Sequence, residues 1–183
     1  MARNAIDMDF IARLEGGSMT RGYVPDAMNS RSGVTIATGF DLGQRHMADL
    51  QGLHLPDALC QRLAPYLGLT GSSALATLKA TPLEISRDEA LAIDSAYKAP
   101  FIQQLQEQYS RTANAAFADL PAACQTVIAS VAFQYGHLAK RTPKFWGQVV
   151  ARDWAAAVDN LRHFGDRYAG RRRQEADLLA SVL

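Results

Sequence analysis

The chain has 183 residues, of which 48% are hydrophobic and 20% charged, a composition typical of a folded globular protein and not of a disordered one. Its apolar runs are too short for a membrane span, and residues 1–9 lack the apolar segment of a secretory signal peptide. Residues 1–120 hold 10 Lys and Arg against 13 Asp and Glu, whereas residues 121–183 hold 9 against 5. The basic second part either favours a polyanionic partner or is a solvated basic surface.

A short amphipathic helix is predicted over residues 4–15. Asn4 or Asp7 can cap its start, and the Gly16–Gly17 pair ends it. Glu15 therefore lies at the C-terminal end, where the helix dipole disfavours a negative charge and favours the protonated form that a general acid needs. The alternative is an ordinary solvated surface charge.

The segment 31–44 alternates like a strand and contains glycines at positions 33, 39 and 43. By parity, Thr35 and Asp41 share a face of that strand. In a fully extended chain they would lie about 20 Å apart, so a bend at Thr38–Gly39 is needed before both can serve one site. We expect a first strand to begin at Tyr23–Val24, and all strand content to lie within about 20–42.

The rest of the chain is predicted to be helical, and the fold class is α+β, mostly helical, with two lobes. The N-terminal lobe, about 1–85, holds the small β-sheet. A long connecting helix, about 86–110, opens with a Ser86–Glu89 capping box and contains Pro100. The C-terminal lobe, about 111–183, is helical. The predicted helical segments are 45–67 with a break at Pro56, a short piece to about 80 after a loop over 68–73, a central helix from Pro121 to Gly136, two helices around 145–161, and a last helix over about 170–182.

Six segments of the chain match sequence motifs of a known family. They are Glu15-Gly16; Gly-Tyr-Val-Pro at 22–25; Ser-Gly-Val-Thr-Ile-Ala-Thr-Gly-Phe-Asp-Leu-Gly at 32–43; Ala-Phe-Gln-Tyr-Gly at 132–136; residues 154–161; and Gly-Arg-Arg-Arg-Gln-Glu-Ala at 170–176. In this order and with comparable spacing, they resemble the pesticin-like toxin family, which has the fold of phage-type lysozyme. The resemblance covers nearly the whole chain and implies one lysozyme-like catalytic domain over 1–183.

The resemblance implies a muramidase, which cuts the β-1,4 bond between N-acetylmuramic acid and N-acetylglucosamine. Carried over by position, Glu15 would be the general acid, Asp41 the second carboxylate, and Thr35 the hydroxyl that helps to hold the attacking water. In the phage enzymes the second acid precedes the threonine, an order that Asp26 fits loosely, so Asp26 stays an alternative to Asp41. The family often has glycine at the place of Ala37, where we expect a methyl group to be tolerated on a strand.

Three further residues are predicted to bind substrate or to orient the acid. Gln134 could hydrogen-bond an acetamido group or a sugar hydroxyl, or it is a partly buried polar group of a helix. Tyr23 could present its ring to a sugar face, or pack in the core. The family suggests that Arg171, or its neighbour Arg172, pairs with Glu15. The four histidines show no metal-ligand spacing, so we assign no metal and no cofactor.

The separation of the two carboxyl groups discriminates between retention, at about 5–5.5 Å, and inversion, at about 6.5–9.5 Å. A threonine beside the second acid suits the positioning of water, so we predict inversion. Cys124 is predicted to be a reduced thiol in the core, since it lies on an apolar helical stripe.

The predicted partners are peptidoglycan glycan strands and an immunity protein that inhibits the enzyme, with no membrane and no nucleic acid. The basic run at 171–173 is too small a footprint for nucleic acid. We expect a monomer, made in the cytoplasm, exported by a secretion system or released by lysis, and active in the periplasm of a target cell. A secreted effector toxin is favoured over a phage endolysin or a non-catalytic cell-wall-binding module.

Overall fold

The computed structural model describes residues 5–29 and 31–183, and its chain is 63% helical with one small antiparallel sheet of three strands. This confirms the predicted α+β, mostly helical class. In chain order the elements are α1 (Met8–Leu14), β1 (Met19–Tyr23), β2 (Thr35–Ala37), β3 (Phe40–Asp41), α2 (Met47–Gly52), α3 (Asp57–Leu63), α4 (Gly71–Ala80), α5 (Arg87–Ala113), α6 (Ala122–Tyr135), α7 (Leu138–Arg141), α8 (Pro143–Val150), α9 (Trp154–Arg162) and α10 (Ala169–Ala180), with short 3-10 turns at Leu42–Gln44, Ala64–Tyr66 and Phe117–Asp119.

The chain forms two compact units, one of residues Ala12–Ala99 and one that joins the N-terminal residues up to Ile11 with Pro100–Leu183. The first unit, called the sheet unit below, contains the β-sheet and its own buried core of aliphatic side chains, Phe40 and Tyr66. The second, called the helical unit, is built around α6, in which every residue from Cys124 to Ala132 is buried. Each unit therefore has an apolar core of its own.

The first helix is capped as predicted. The backbone N–H of Phe10 donates to Asp7 Oδ1 at 2.8 Å, whereas Asn4 lies outside the described residues. The helix ends at Leu14, and Gly16 and Gly17 follow with φ of 95° and 93°. Only glycine adopts such angles without strain, so the pair terminates the helix directly after Glu15.

The sheet has the order β1-β2-β3 with antiparallel pairing throughout. The predicted bend at Thr38–Gly39 is confirmed, since Ile36 pairs with Phe40 and Gly39 has a φ of 89°. The expected start of the first strand at Tyr23 is wrong, because β1 begins at Met19 and ends at Tyr23. Its alternate residues are exposed, so it gave no apolar run to mark its beginning.

All three residues of β2 are buried, although alternation predicted one covered face. Ala37 is the last residue of β2, so its methyl group lies on a strand as expected, but its φ of 52° falls in the left-handed region. In this left-handed region the Cβ atom meets the following carbonyl oxygen, a conflict of about 1–2 kcal/mol per residue. The glycine that the family often has at this place would avoid that conflict.

Three backbone segments meet beside the β2–β3 hairpin with no space for side chains. A Cβ atom on Gly33 would lie 2.4 Å from Gly43 Cα, and one on Gly43 would lie 2.5 Å from the carbonyl oxygen of Leu69. Backbone hydrogen bonds close the same junction: Leu42 N–H donates to Val34 O at 2.9 Å, and Gly68 N–H to Leu42 O at 3.2 Å. Gly33 and Gly43 are thus required by close packing of backbone on backbone.

Most predicted helices are present, with shifted ends, and one short helix was missed. The Ser86–Glu89 capping box is present, with Ser86 N–H donating to Glu89 Oε2 at 2.8 Å and Glu89 N–H to Ser86 Oγ at 3.1 Å. Helix α5 runs through Pro100 without interruption. The loop predicted to reach residue 73 ends earlier because α4 begins at Gly71, and α7 was not predicted at all.

Cys124 is a buried free thiol, as predicted, and its burial raises its pKa to about 11. Within the described part of the chain, no helix combines the length and the apolar character that a bilayer span requires.

Replacing either glycine of the junction by alanine should destabilise the protein. Gly33→Ala or Gly43→Ala forces backbone apart, and we expect a loss of about 2–4 kcal/mol in the free energy of unfolding. Gly52→Ala is the matched control, since Gly52 is helical and no heavy atom of the described residues lies within 4 Å of the place that an added methyl group would take. The control should change stability by less than about 1 kcal/mol. Urea melts of the three variants measure this, and equal losses would refute the close-packing account.

Candidate active site

Three of the predicted site residues lie in one row across the sheet. Tyr23 on β1 is paired with Thr35 on β2, and Thr35 is paired with Asp41 on β3. Side chains of directly opposed residues point to the same face, with Cβ atoms about 4.5–5.5 Å apart. The hairpin turn at Thr38–Gly39 therefore brings together two groups that parity alone had left about 20 Å apart.

The Asp41 carboxylate is oriented by backbone amides. Its Oδ1 atom accepts hydrogen bonds from Gly33 N–H at 3.0 Å and Gly43 N–H at 2.8 Å. The second bond also caps the 3-10 turn Leu42–Gln44. Over residues 5–29 and 31–183, Oδ2 has no hydrogen-bond partner, and Asp41 is partly exposed. One oxygen is thus used to fix the hairpin, and the other is available to a ligand or a water.

The two residues beside Asp41 in the row differ in exposure. Thr35 is only 4% exposed, and its hydroxyl donates to the carbonyl oxygen of Gly33 at 3.2 Å. The hydroxyl oxygen keeps its capacity to accept a hydrogen bond. Tyr23 is 37% exposed at the end of its strand, so its ring is accessible and is not a core ring.

Glu15 is paired with a lysine that the sequence analysis missed. Lys98 Nζ lies 2.8 Å from Glu15 Oε2, and the two side chains are 10% and 22% exposed. Both residues belong to the sheet unit. Lys98 is on α5, more than eighty positions from Glu15, so no local pattern marked the pair.

A buried aspartate on the same helix holds the neighbouring segments. Asp94 is 2% exposed; its Oδ1 accepts from the N–H of Thr38 at 3.0 Å and from the Thr38 hydroxyl at 2.5 Å. Its Oδ2 accepts from the Ser18 hydroxyl at 2.9 Å. Residues four positions apart share a helix face, so Asp94 and Lys98 together hold the hairpin turn and the segment that follows α1. In the sequence, the one indication of this role is that Asp94 is an aspartate in an otherwise apolar helical stripe.

The alternative second acid lies apart from the row. Asp26 is exposed in the turn after β1, has a φ of 41°, and accepts a hydrogen bond from Asn29 Nδ2 at 3.0 Å. It lies outside the three paired strands of the described sheet. The geometry around Asp41 is the better fit to a fixed catalytic carboxylate.

Gln134 and Arg171 belong to the helical unit, within a cluster of charged side chains. Gln134 Oε1 accepts a hydrogen bond from Arg172. Arg171 Nε donates to Glu175 Oε1 at 3.1 Å, and its Nη2 donates to the Ser130 hydroxyl oxygen at 3.0 Å. The pairing of Glu15 with Arg171 stays a prediction.

Arg172 and Glu175 are almost fully buried and form an ion pair with each other. Arg172 Nε also donates to Asp166 Oδ2 at 2.9 Å, and the Tyr135 hydroxyl donates to the same oxygen at 2.6 Å. Partial burial alone would raise the pKa of Asp166, but these hydrogen bonds, the Tyr168 N–H and the Arg172 charge outweigh it and lower that pKa. In the run at 171–173, which the sequence presents as a basic patch, Arg172 is thus buried and Arg171 is partly buried, while Arg173 is exposed.

Within residues 5–29 and 31–183, no three His, Cys, Asp or Glu side chains cluster in a way that could hold a metal ion.

The fold and this site define a class: a mostly helical α+β chain with an acid after its first helix, and an aspartate and a threonine opposed on a hairpin, is lysozyme-like. A family model described as "Pesticin: Bacterial toxin homologue of phage lysozyme, C-term" matches residues 5–155. The chain belongs to this family, which confirms the resemblance seen in the sequence. The match includes every predicted site residue except Arg171. No curated protein matches the chain.

The Asp166 cluster predicts a specific dependence of stability on pH. A carboxyl group whose folded pKa is lowered stabilises the protein above its unfolded pKa, about 3.9, and this contribution is lost as the pH falls through the folded value. Asp166→Asn should therefore cost about 2–3 kcal/mol of unfolding free energy at pH 7. The difference from the parent should shrink as the pH falls from about 5 to about 2.

Asp177→Asn provides the control for this series. Asp177 makes a 3.5 Å ion pair with Arg162 and is 63% exposed, so its loss should be less than about 0.5 kcal/mol at any pH. Denaturant melts across the pH range measure both variants. A difference at Asp166 that does not change with pH would contradict the assignment.

Proposed function

We propose that this protein is a muramidase that hydrolyses the β-1,4 bond between N-acetylmuramic acid and N-acetylglucosamine in peptidoglycan. Glu15 acts as general acid, and Asp41 and Thr35 activate the attacking water. The observation that carries the proposal is the row of Tyr23, Thr35 and Asp41, with a Lys98-held Glu15 in the same unit. Membership of a family of lysozyme-like toxins supports it.

Bond cleavage needs a proton on the leaving oxygen, because the transition state resembles an oxocarbenium ion. In this role Glu15 donates the proton. Lys98 Nζ lies 2.8 Å from Glu15 Oε2. We propose that Lys98 keeps the acid in its orientation and that substrate binding loosens this contact.

Water attack is assigned to Asp41 and Thr35. With Oδ1 held by two amides, Oδ2 is the oxygen that can take a proton from water, and the opposed Thr35 hydroxyl can bind the same water. Such a water suits an inverting mechanism. The anomeric proton signals of fresh product test it: the α-anomer is expected, and the β-anomer would refute inversion.

The remaining predicted residues are assigned to substrate binding and positioning. Tyr23 is accessible and lies in the same row as the two catalytic groups, so its ring can contact a sugar face. Gln134 is already bound by Arg172, so a role in sugar binding would require it to share that contact or give it up. Arg171 remains the proposed second partner of Glu15.

Glu15→Gln and Asp41→Asn should each lower the rate of lysis of permeabilised bacterial cells by at least about 100-fold, measured as loss of turbidity. Each removes the exchangeable proton or the base while keeping the shape of the side chain. Asn Oδ1 can still accept from both glycine amides, so we expect Asp41→Asn to lose only about 1 kcal/mol of stability. Glu15→Gln should lose only about 1 kcal/mol, because Gln Oε1 can still accept a hydrogen bond from Lys98 Nζ.

Asp26→Asn is the matched control, since Asp26 is an exposed carboxylate of the same unit outside the row. It should clear cells at the parent rate. Loss of activity in Asp26→Asn but not in Asp41→Asn would reverse the assignment of the second acid. Binding of parent protein to cell walls without any release of sugar would support the alternative, a non-catalytic wall-binding module.

The biological role that we propose is an antibacterial effector toxin, because the family description is of bacterial toxins. A phage endolysin of the same activity is the alternative. The toxin would act in the periplasm of a target cell, after export or release, as a monomer, and the producing cell would need an immunity protein. Expression with and without a periplasmic targeting sequence tests the site of action, since lysis should require the targeting sequence.

A further inference from the structure

The side chain of Arg45 is held against two aromatic rings. Its guanidinium carbon lies 5.2 Å from the ring centroid of Phe40 and 5.0 Å from that of Tyr97, and the two rings contact each other edge to face at 5.3 Å. All three residues belong to the sheet unit. Contact with two rings restricts the conformations of the side chain, so the position of its N–H groups is largely set in advance.

The guanidinium of Arg45 donates no hydrogen bond to any described residue. Among the described residues, its side chain has no carboxylate within ion-pair distance and no hydrogen-bond acceptor, and its Nε is buried without a partner. The residue is only partly buried, so the arginine reaches solvent. A buried N–H without an acceptor is unfavourable, and a fixed, unpaired guanidinium is complementary to an anion with two oxygens.

A second arginine of this chain shows the same stacking with its partners present. Arg172 lies 5.4 Å from the Tyr135 ring centroid and 4.8 Å from that of Phe164, and its N–H groups bind Asp166, Glu175 and Gln134. Over the described residues, the chain thus supplies carboxylates to one stacked arginine and none to the other. At Arg45 no described residue supplies a carboxylate, so the position is open to one from a ligand.

We propose that Arg45 binds a carboxylate of the stem peptide of the peptidoglycan substrate. This inference rests on the proposed function. The position of Arg45 supports it, because each stacked ring adjoins a residue of the candidate site: Phe40 precedes Asp41, and Tyr97 precedes Lys98, the partner of Glu15. Tyr97 is 43% exposed, so the stack is open to a ligand.

The test measures binding to insoluble sacculi free of teichoic acid, so that phosphate is not a competing anion. All proteins carry Glu15→Gln, so that the sacculi are not digested, and Arg45→Gln, Arg45→Lys and Arg141→Gln are compared with the protein that retains Arg45. Arg141 is exposed on α7, and its replacement removes the same charge elsewhere. Two forms of the wall are used: untreated, and with carboxylates converted to neutral amides by carbodiimide coupling.

Arg45→Gln should weaken binding to untreated sacculi by about 10- to 100-fold, the range expected for hydrogen bonds to a charged group. Arg45→Lys should recover only part of the loss, because an ammonium lacks the paired N–H groups of the fork. Arg141→Gln should bind like the protein that retains Arg45. On amidated walls, the Arg45→Gln variant and the protein that retains Arg45 should bind equally.

Equal binding of the Arg45→Gln variant and the protein that retains Arg45 to untreated walls would overturn the proposal, as would a loss that persists on amidated walls. A similar loss in Arg141→Gln would reduce the effect to net charge and also overturn it. The proposed function fails separately, if the Glu15→Gln protein digests sacculi as fast as the parent. Because the binding assay needs no turnover, the carboxylate result stands or falls independently of catalysis.

Discussion

The hydrogen bonds from Gly33 and Gly43 to a single oxygen of Asp41 are the interaction on which the sheet unit depends. At this junction the backbones of residues 32–34, 42–43 and 68–71 come too close for any side chain at either glycine. Two amide N–H groups brought into such a place need an acceptor, and Asp41 provides it. The same residue is the proposed base, so its position in the site follows from its structural role.

Three acids of the sheet unit are held by three different kinds of donor. Asp41 accepts from backbone amides, Asp94 accepts from an amide and two hydroxyl groups, and Glu15 is paired with the ammonium of Lys98. Neutral donors keep Asp41 and Asp94 in place without adding a positive charge. Of the three, only Glu15, the proposed general acid, has the cation of a lysine side chain beside it.

The sequence was sufficient at several places where the structure is determined by neighbours in the chain. The caps at Asp7 and at the Ser86–Glu89 box, and the turn at Gly39, were predicted correctly because each depends on a few consecutive residues. Strand parity then placed Thr35 and Asp41 on one face.

Contacts between distant segments were not predictable in this way. Lys98 finds Glu15 only through the packing of α5, and β1 is recognisable only by its pairing with β2. Arg172 lies in an arginine run that is typical of a surface, and it is buried because Glu175, one turn later on α10, is buried with it. The residues next to an arginine or a lysine in the sequence do not indicate that such a buried partner exists.

The two arginines that each contact two aromatic rings show that such a side chain can be either buried or partly exposed. Burying a charge is unfavourable unless it is paired and hydrogen-bonded, and breaking a buried pair costs more than the pair contributes to stability. Arg172 meets that condition inside the fold, so it fixes α10 in one arrangement against its own unit. Arg45 keeps the aromatic support but remains partly exposed, which makes its lack of an acceptor among the described residues tolerable in the free protein. Donors that are already oriented lose little conformational entropy when an anion binds. An arginine with this aromatic support is therefore suited to the recognition of an anion.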